Sequence, residues 1–215
     1  MKKNFAPRLL KIYHTLHAHY GPQHWWPAKS RFEVIVGAIL TQNTNWKNVE
    51  KAIANLKAED LVSPDAIHRV SRKKLSRLIR PSGYFNIKAD RLKSFTDFLM
   101  SEYGGSLKGM LREKTVTLRE KLLSVKGIGP ETADSILLYA AGMPVFVVDA
   151  YTRRILSRHG LCEDKASYNQ IQSLFMENLK PDVRMFNEYH ALLVCAGKTQ
   201  CASTPACPGC PLQGY

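Results

Sequence analysis

Hydrophobic side chains recur along most of the chain at spacings of three and four residues, the period of helices with one buried face. In the clearest case, from Phe32 to Leu40, apolar residues occupy positions i, i+3, i+4, i+7 and i+8. Alternation with a period of two is not convincing anywhere, so we predict an all-α protein. The predicted helices cover 5–20, 32–40, 117–123, 131–141, 150–159, 166–179 and 182–197. Three further helices are predicted: one that ends near 56, one that begins at 63 and one that contains 95–99.

One short segment departs from the helical period. Val145 to Val148 is a purely apolar run, and so short a run is ambiguous between a strand and an extended linker. Asp149 follows it directly and precedes the next predicted helix, a position at which aspartate commonly acts as an N-cap.

A tight turn, Lys126-Gly127-Ile128-Gly129-Pro130, joins two predicted helices. Glycines tolerate positive φ angles and leave backbone amides accessible. Amides that face the start of a helix suit a phosphate, and Pro130 suits the first position of that helix. This pattern alone favours a turn that only connects two helices over a turn that binds the DNA backbone.

The charge balance, together with the aspartate that follows the turn at position 149, reverses that preference. Lys and Arg total 31 against 18 Asp and Glu, which gives a formal net charge of +13. Such an excess favours a polyanionic partner, with nucleic acid first and an anionic membrane surface second. The 45% hydrophobic content excludes a disordered or collagen-like chain. No apolar run approaches the roughly 20 residues that cross a bilayer, and no signal-peptide core is present, so we expect a cytoplasmic protein without a membrane partner.

Three segments together resemble the helix-hairpin-helix (HhH-GPD) DNA glycosylases of the endonuclease III superfamily. They are Val125 to Asp134, Val147-Val148-Asp149 and the C-terminal cysteines. The resemblance implies an all-α, two-lobed fold with the active site in a cleft between the lobes, and flipping of a damaged base out of the duplex. It implies a six-helix lobe at 30–144 that contains the hairpin, and a second helical lobe at 1–29 plus 145–215 that ends in a Cys-rich loop. The expected partner is double-stranded DNA containing a damaged base, bound by a monomer.

Asp149 matches the catalytic aspartate of this superfamily. A carboxylate there can stabilise the oxocarbenium character that develops on the deoxyribose, or orient the attacking water; a plain N-cap is the alternative, and the two roles are compatible. Bifunctional members carry a lysine at the position of Glu131, which forms a Schiff base and nicks the strand. Glu131 has no amine, so we predict a monofunctional glycosylase that uses water. The alternative for Glu131 is a first-turn acid favoured by the helix dipole.

The aromatic residues resemble the 3-methyladenine glycosylase branch, in which aromatic side chains sandwich the base. Trp25, Pro27 and Trp46 match the positions of that pocket, to which Glu131 is also assigned. A 3-alkylated adenine is cationic, so it leaves readily, and each indole face attracts it by about 1–2 kcal/mol when desolvated. We therefore predict excision of alkylated purines. The alternative for each tryptophan is a position in the core or between the lobes.

The loop Thr41-Gln42-Asn43 and the hairpin are the predicted DNA contacts. Gln42 matches a residue that fills the gap left in the duplex, since a long amide can replace lost base-pair hydrogen bonds. A solvated side chain beside a helix cap is the alternative. In the turn, Lys126 and residues 127–129 are expected to contact phosphate.

The last four of the five cysteines crowd between residues 195 and 215. In a reducing compartment this crowding favours a metal site over disulfides. Cys201, Cys207 and Cys210 resemble the family's [4Fe–4S] loop, whose fourth cysteine would fall at position 216, one residue past Tyr215. Cys195 is the candidate substitute, because the usual cluster needs four thiolates. Zinc at a four-cysteine site and no metal at all are the alternatives.

Two other functions compete with this interpretation. Within the enzymes, an endonuclease III-like glycosylase for damaged or mismatched pyrimidines would have the same fold. Outside the enzymes, a non-catalytic helix-hairpin-helix protein could bind DNA through the turn alone.

Overall fold

The computed structural model describes residues 4–26 and 28–215. Helices make up 64% of the structure, and these ranges contain no β-strand, which confirms the all-α prediction. The helices are α1 Ala6–Tyr20, α2 Arg31–Leu40, α3 Trp46–Ala58, α4 Pro64–Arg69, α5 Arg72–Leu78, α6 Phe85–Tyr103, α7 Leu107–Met110, α8 Thr115–Ser124, α9 Pro130–Ser135, α10 Ala150–Arg158, α11 Tyr168–Asn178 and α12 Val183–Thr199. None of these helices is both long enough and apolar enough to cross a membrane.

The chain divides into two compact units. The hairpin unit is Ala28–Met143 and contains α2 to α9. The terminal unit combines residues 4–26 with Pro144–Tyr215 and contains α1 and α10 to α12. Helices α5 and α7 come in addition to the six that the sequence predicts for the hairpin unit, because elements this short do not display a periodic stripe.

Helix α2 is the central element of the hairpin unit. All of its residues except Arg31 are buried, as expected for a helix that is apolar on every side. Ser30 caps its N-terminus by accepting a hydrogen bond from the Glu33 amide at 3.1 Å. Helix α2 packs on a π-helical turn, Ile136–Ala141, that continues α9.

A buried ion pair joins the two helices of the hairpin. The Arg119 guanidinium of α8 donates to both carboxylate oxygens of Asp134 in α9, at 2.7 and 3.0 Å. The Asp134 side chain is 0% exposed. The bidentate contact with Arg119 neutralises its carboxylate, which would be costly to bury without a partner.

The terminal unit is organised around α12, which packs on both α1 and α10. Gly197 of α12 allows the close approach to α10, since a Cβ there would lie 2.5 Å from Tyr151 Cδ1. In the core, Phe146 stacks on Phe175 with ring centroids 3.5 Å apart. The Tyr189 hydroxyl donates to the Leu9 carbonyl at 2.8 Å, which ties α12 to α1.

The apolar run Val145 to Val148 is an extended buried connection and not a strand. Helix α11 provides hydrogen-bond partners for the backbone of this run. For example, Gln172 Nε2 donates to the Phe146 carbonyl at 2.7 Å. Buried backbone groups need such partners, so the connection has a fixed path. It ends at Asp149, and the packing of this run therefore fixes the position of that residue.

Candidate active site and DNA-contacting loops

Asp149 is the N-cap of α10, as the sequence predicts. Its Oδ1 accepts a hydrogen bond from the Thr152 amide at 2.7 Å. Its Oδ2 lies 3.6 Å from Nε2 of His190 in α12, and the two side chains are 12% and 7% exposed. One carboxylate oxygen is thus used for capping, while the other lies beside an imidazole.

This environment keeps Asp149 ionised. Burial favours the neutral carboxyl, but the His190 imidazole and the Thr152 amide outweigh it and lower the pKa of Asp149 below its ordinary value. His190 is a site residue that the sequence analysis does not identify. A histidine on the apolar face of a long helix could have signalled it, because a buried imidazole requires a polar partner.

Trp25 and Trp26 are half-buried in the loop after α1, with their rings in an edge-to-face contact at 5.7 Å between centroids. The Lys198 ammonium lies 5.8 Å from the centroid of the Trp25 ring, within the range of a cation–π contact. Trp46 is half-buried in the first turn of α3, in the hairpin unit. Pro27, the third predicted aromatic-pocket position, lies outside the described residues.

The hairpin forms as predicted. Gly127 has a φ of +89°, and Gly129 is the N-cap of α9. The Ile128 amide donates to the Val125 carbonyl at 3.0 Å, and its side chain is only 4% exposed, so Ile128 anchors the turn from inside. Lys126 and both glycines are exposed, which leaves them available to a phosphate.

The side chain of Gln42 is bound to this hairpin. Its Nε2 donates to the Gly127 carbonyl at 3.1 Å and to Thr132 Oγ1 at 2.8 Å. Its Oε1 accepts a hydrogen bond from Arg91 of α6. Gln42 is therefore not simply solvated, and Arg91 is a second residue that the sequence analysis does not identify.

A buried lysine one turn earlier in α6 holds two loops. Lys88 is 1% exposed, and its Nζ donates to the carbonyls of Leu40 at 2.9 Å and Ser82 at 2.5 Å. Burial, with a smaller contribution from the Arg91 charge, lowers the pKa of Lys88 to about 8. Leu40 precedes the loop of Gln42, and Ser82 precedes Tyr84, whose ring is 68% exposed in a left-handed backbone conformation.

Glu131 lies exposed in the first turn of α9. Its carbonyl accepts a hydrogen bond from the Ser135 hydroxyl at 2.7 Å. This location agrees with a first-turn acid at the positive end of a helix, and a role in the base pocket stays a prediction.

The C-terminal cysteines do not fit a four-thiolate cluster in this arrangement. Cys201 is buried with its Sγ 3.2 Å from Nη1 of Arg158, whereas Cys207 is exposed. Across residues 4–26 and 28–215, no group of three or more His, Cys, Asp or Glu side chains is placed to hold a metal ion. The [4Fe–4S] cluster and the zinc site are therefore supported only by the spacing of the cysteines in the sequence, and the proposed reaction uses neither.

Two arginines of α10 hold the start of the Cys-rich loop by its backbone. Arg154 donates to the carbonyls of Gly197 at 2.8 Å and Cys201 at 2.6 Å. Arg158 donates to the carbonyls of Ala202 at 2.7 Å and Ser203 at 2.8 Å. These charge-assisted bonds connect the loop to the helix that Asp149 caps.

The chain is similar to DNA repair proteins along its whole length. Residues 36–181 match the family described as HhH-GPD superfamily base excision DNA repair protein. A protein of Methanocaldococcus jannaschii that is named, provisionally, a DNA repair glycosylase is 50% identical over 216 residues, which cover 100% of this chain and 98% of that one.

Solved structures show the same fold. That of the H. pylori 3-methyladenine DNA glycosylase MagIII bound to 1,N6-ethenoadenine is 30% identical, with a TM-score of 0.78 and coverage of 88% of this chain and 97% of that one. A trapped endonuclease III–DNA covalent intermediate is 21% identical, with a TM-score of 0.82 and coverage of 99% and 94%. The glycosylase fold predicted from the hairpin and Asp149 is confirmed.

Proposed function

Since this chain belongs to the HhH-GPD superfamily of base excision DNA repair proteins and is a DNA glycosylase of that family, we propose that it excises alkylated purines of the 3-methyladenine type. The observation that carries this substrate class is the half-buried indole of Trp25, because an indole face attracts a cationic base.

A cationic base suits such an indole better than a neutral one does. Alkylation at N3 puts a positive charge on adenine, and a cation beside an indole face gains about 1–2 kcal/mol when desolvated. The similarity to a glycosylase of H. pylori that is named for 3-methyladenine supports the same class. We assign Trp25 to contact with the base, and the same role for Trp46 stays a prediction.

Asp149 provides the charge that the reaction needs. As the glycosidic bond breaks, positive charge develops on the deoxyribose, and an ionised carboxylate stabilises it or orients the incoming water. The lowered pKa of Asp149 keeps the carboxylate ionised at neutral pH. A cationic base departs as a neutral molecule, so no general acid is required to protonate it.

The enzyme is monofunctional in this proposal. A Schiff base requires an amine that attacks the sugar, and the first turn of α9 presents the Glu131 carboxylate instead. Water is therefore the nucleophile, and the product is an abasic site in an unbroken strand.

The hairpin unit engages the duplex in this proposal. Lys126 and the exposed glycines of the turn bind phosphate without reading sequence. Gln42 fills the space that the flipped nucleotide leaves, and the exposed Tyr84 ring provides a surface on which a neighbouring base can stack. A monomer is sufficient for these contacts.

Replacing Asp149 with asparagine tests the proposal. Asparagine caps a helix as well as aspartate does, so the fold is retained while the charge is lost. We expect the single-turnover rate of 3-methyladenine release to fall by at least about 100-fold, while affinity for the same duplex changes by less than about threefold.

The matched control is Asp182→Asn, because Asp182 caps α12 by accepting a hydrogen bond from the Met185 amide at 2.7 Å. This variant should release the base at the wild-type rate. Wild-type release by Asp149→Asn would remove Asp149 from the reaction.

A further inference from the structure

Gln42 is held in one orientation before any DNA is bound. An amide side chain has two N–H donors and one carbonyl acceptor. Both donors are used, on the Gly127 carbonyl at 3.1 Å and on Thr132 Oγ1 at 2.8 Å, and the carbonyl accepts from Arg91. Exchanging the amide oxygen and nitrogen would set donor against donor at Arg91, so these partners define the orientation.

We infer that Arg91 is a positioning residue, which fixes the Gln42 amide against the hairpin so that gap filling and phosphate binding act as one preassembled unit. The inference rests on the proposed function, since it requires Gln42 to enter the duplex. It deepens that function by identifying the residue through which the loop and the hairpin are coupled.

The hairpin turn is shaped to accommodate Arg91. A Cβ on Gly127 would lie 2.4 Å from Arg91 Cγ and 2.9 Å from Cδ, so the arginine stem passes directly over the glycine. Gly127 therefore has two reasons to be glycine, its positive φ of +89° and the space that Arg91 needs. A turn that only connected two helices would require glycine for its φ angle and not for the space beside it.

The backbone of the same loop is fixed from the same helix. Lys88 precedes Arg91 by three residues, so the two share a face of α6, and its ammonium holds the Leu40 carbonyl at 2.9 Å just before the loop begins. Side chain and backbone of the Gln42 loop are thus both held by α6. Ordering the loop in advance lowers the entropy that must be lost when DNA binds.

A binding measurement tests Arg91 without relying on base release. A duplex with a tetrahydrofuran abasic analogue already contains the gap that Gln42 would fill, whereas an intact duplex does not. Fluorescence anisotropy of both duplexes would be measured for wild type, Gln42→Ala, Arg91→Met and the double variant. Arg112→Met is the control for the lost charge, since Arg112 is an exposed arginine outside both the hairpin and the Gln42 loop.

We expect wild type to prefer the abasic duplex, and Arg91→Met to weaken that binding about tenfold. On intact duplex Arg91→Met should match Arg112→Met. The double variant should bind like Gln42→Ala alone, because one residue acts through the other. Arg91→Lys keeps the charge and an alkyl stem but loses the planar guanidinium; it should retain part of the preference and provides a second variant should Arg91→Met not fold.

Three results would overturn the inference. These are a wild type without preference for the abasic duplex, an Arg91→Met variant that keeps the preference, and single-variant losses that multiply in the double variant. None of them depends on which base is excised. Failure of the excision experiment with Asp149→Asn would therefore leave this result intact, and the two proposals can fail separately.

Discussion

The two oxygens of Asp149 have different partners, and this sets how the carboxylate can act. Oδ1 accepts from the Thr152 amide at 2.7 Å, so it keeps α10 in place. Oδ2 lies 3.6 Å from His190 Nε2, longer than a hydrogen bond. This second oxygen can stabilise a developing positive charge while the first continues to cap the helix.

Replacing His190 with glutamine should make base release sensitive to acid. The reaction needs the ionised carboxylate, so its rate falls as pH drops through the pKa of Asp149. Burial raises that pKa and His190 lowers it, so without His190 the acid limb should move to higher pH. Single-turnover rates from about pH 3 to 8, a range that includes the ordinary pKa of aspartate, would show the shift.

The control for this experiment is His68→Gln. His68 also lies near an aspartate, with Nδ1 2.9 Å from Asp97 Oδ1, but both side chains are substantially exposed. Its replacement should leave the profile unchanged. An identical acid limb in His190→Gln and wild type would show that His190 does not tune Asp149.

At the residue scale, the sequence identifies residues whose role depends on residues close to them in the chain. Asp149 follows an apolar run and precedes a helix, so a cap could be predicted without knowing the fold. His190 and Arg91 act on residues far along the chain, on Asp149 and Gln42 respectively. Such pairs exist only once the helices have packed. A local pattern can indicate that His190 is a buried polar residue, but it does not identify the partner.

At the scale of elements, the hairpin depends on a difference between its two glycines. Gly127 has a φ of +89° and Arg91 at its face, whereas Gly129 has a φ of −92° and nothing within 4 Å of a Cβ built on it. The first glycine is thus required by the backbone and by packing. The second is required by neither.

Gly127→Ala should therefore destabilise the protein by about 1–3 kcal/mol, because its φ is unfavourable for alanine and Arg91 must move. Gly129→Ala should cost less, about 0.5–1 kcal/mol, because glycine is a better N-cap than alanine. Urea unfolding followed by circular dichroism measures both values. Equal stabilities would contradict the assignment of Arg91 to the face of Gly127.

The helices themselves could largely be predicted, and the exceptions have physical reasons. Periodic stripes locate α1, α2 and α12 because each buries one face or its whole surface. Helices α5 and α7 are too short for a stripe. The π-helical turn after α9 packs against α2, and no local pattern in the sequence predicts it.

At the scale of the whole molecule, the proposed reaction draws on both units. Asp149, His190 and Trp25 belong to the terminal unit, whereas the hairpin, Gln42 and Trp46 belong to the hairpin unit. A net charge of +13 suits a protein that binds a polyanion.

Mass analysis of the bases freed from methylated duplex DNA tests the central claim most directly. The account predicts that wild-type protein releases free 3-methyladenine and that the strand stays intact until alkali cleaves it at the abasic site. Release of an oxidised pyrimidine such as thymine glycol from oxidised DNA, with no methylated purine released from methylated DNA, would contradict the account and favour the pyrimidine-specific alternative.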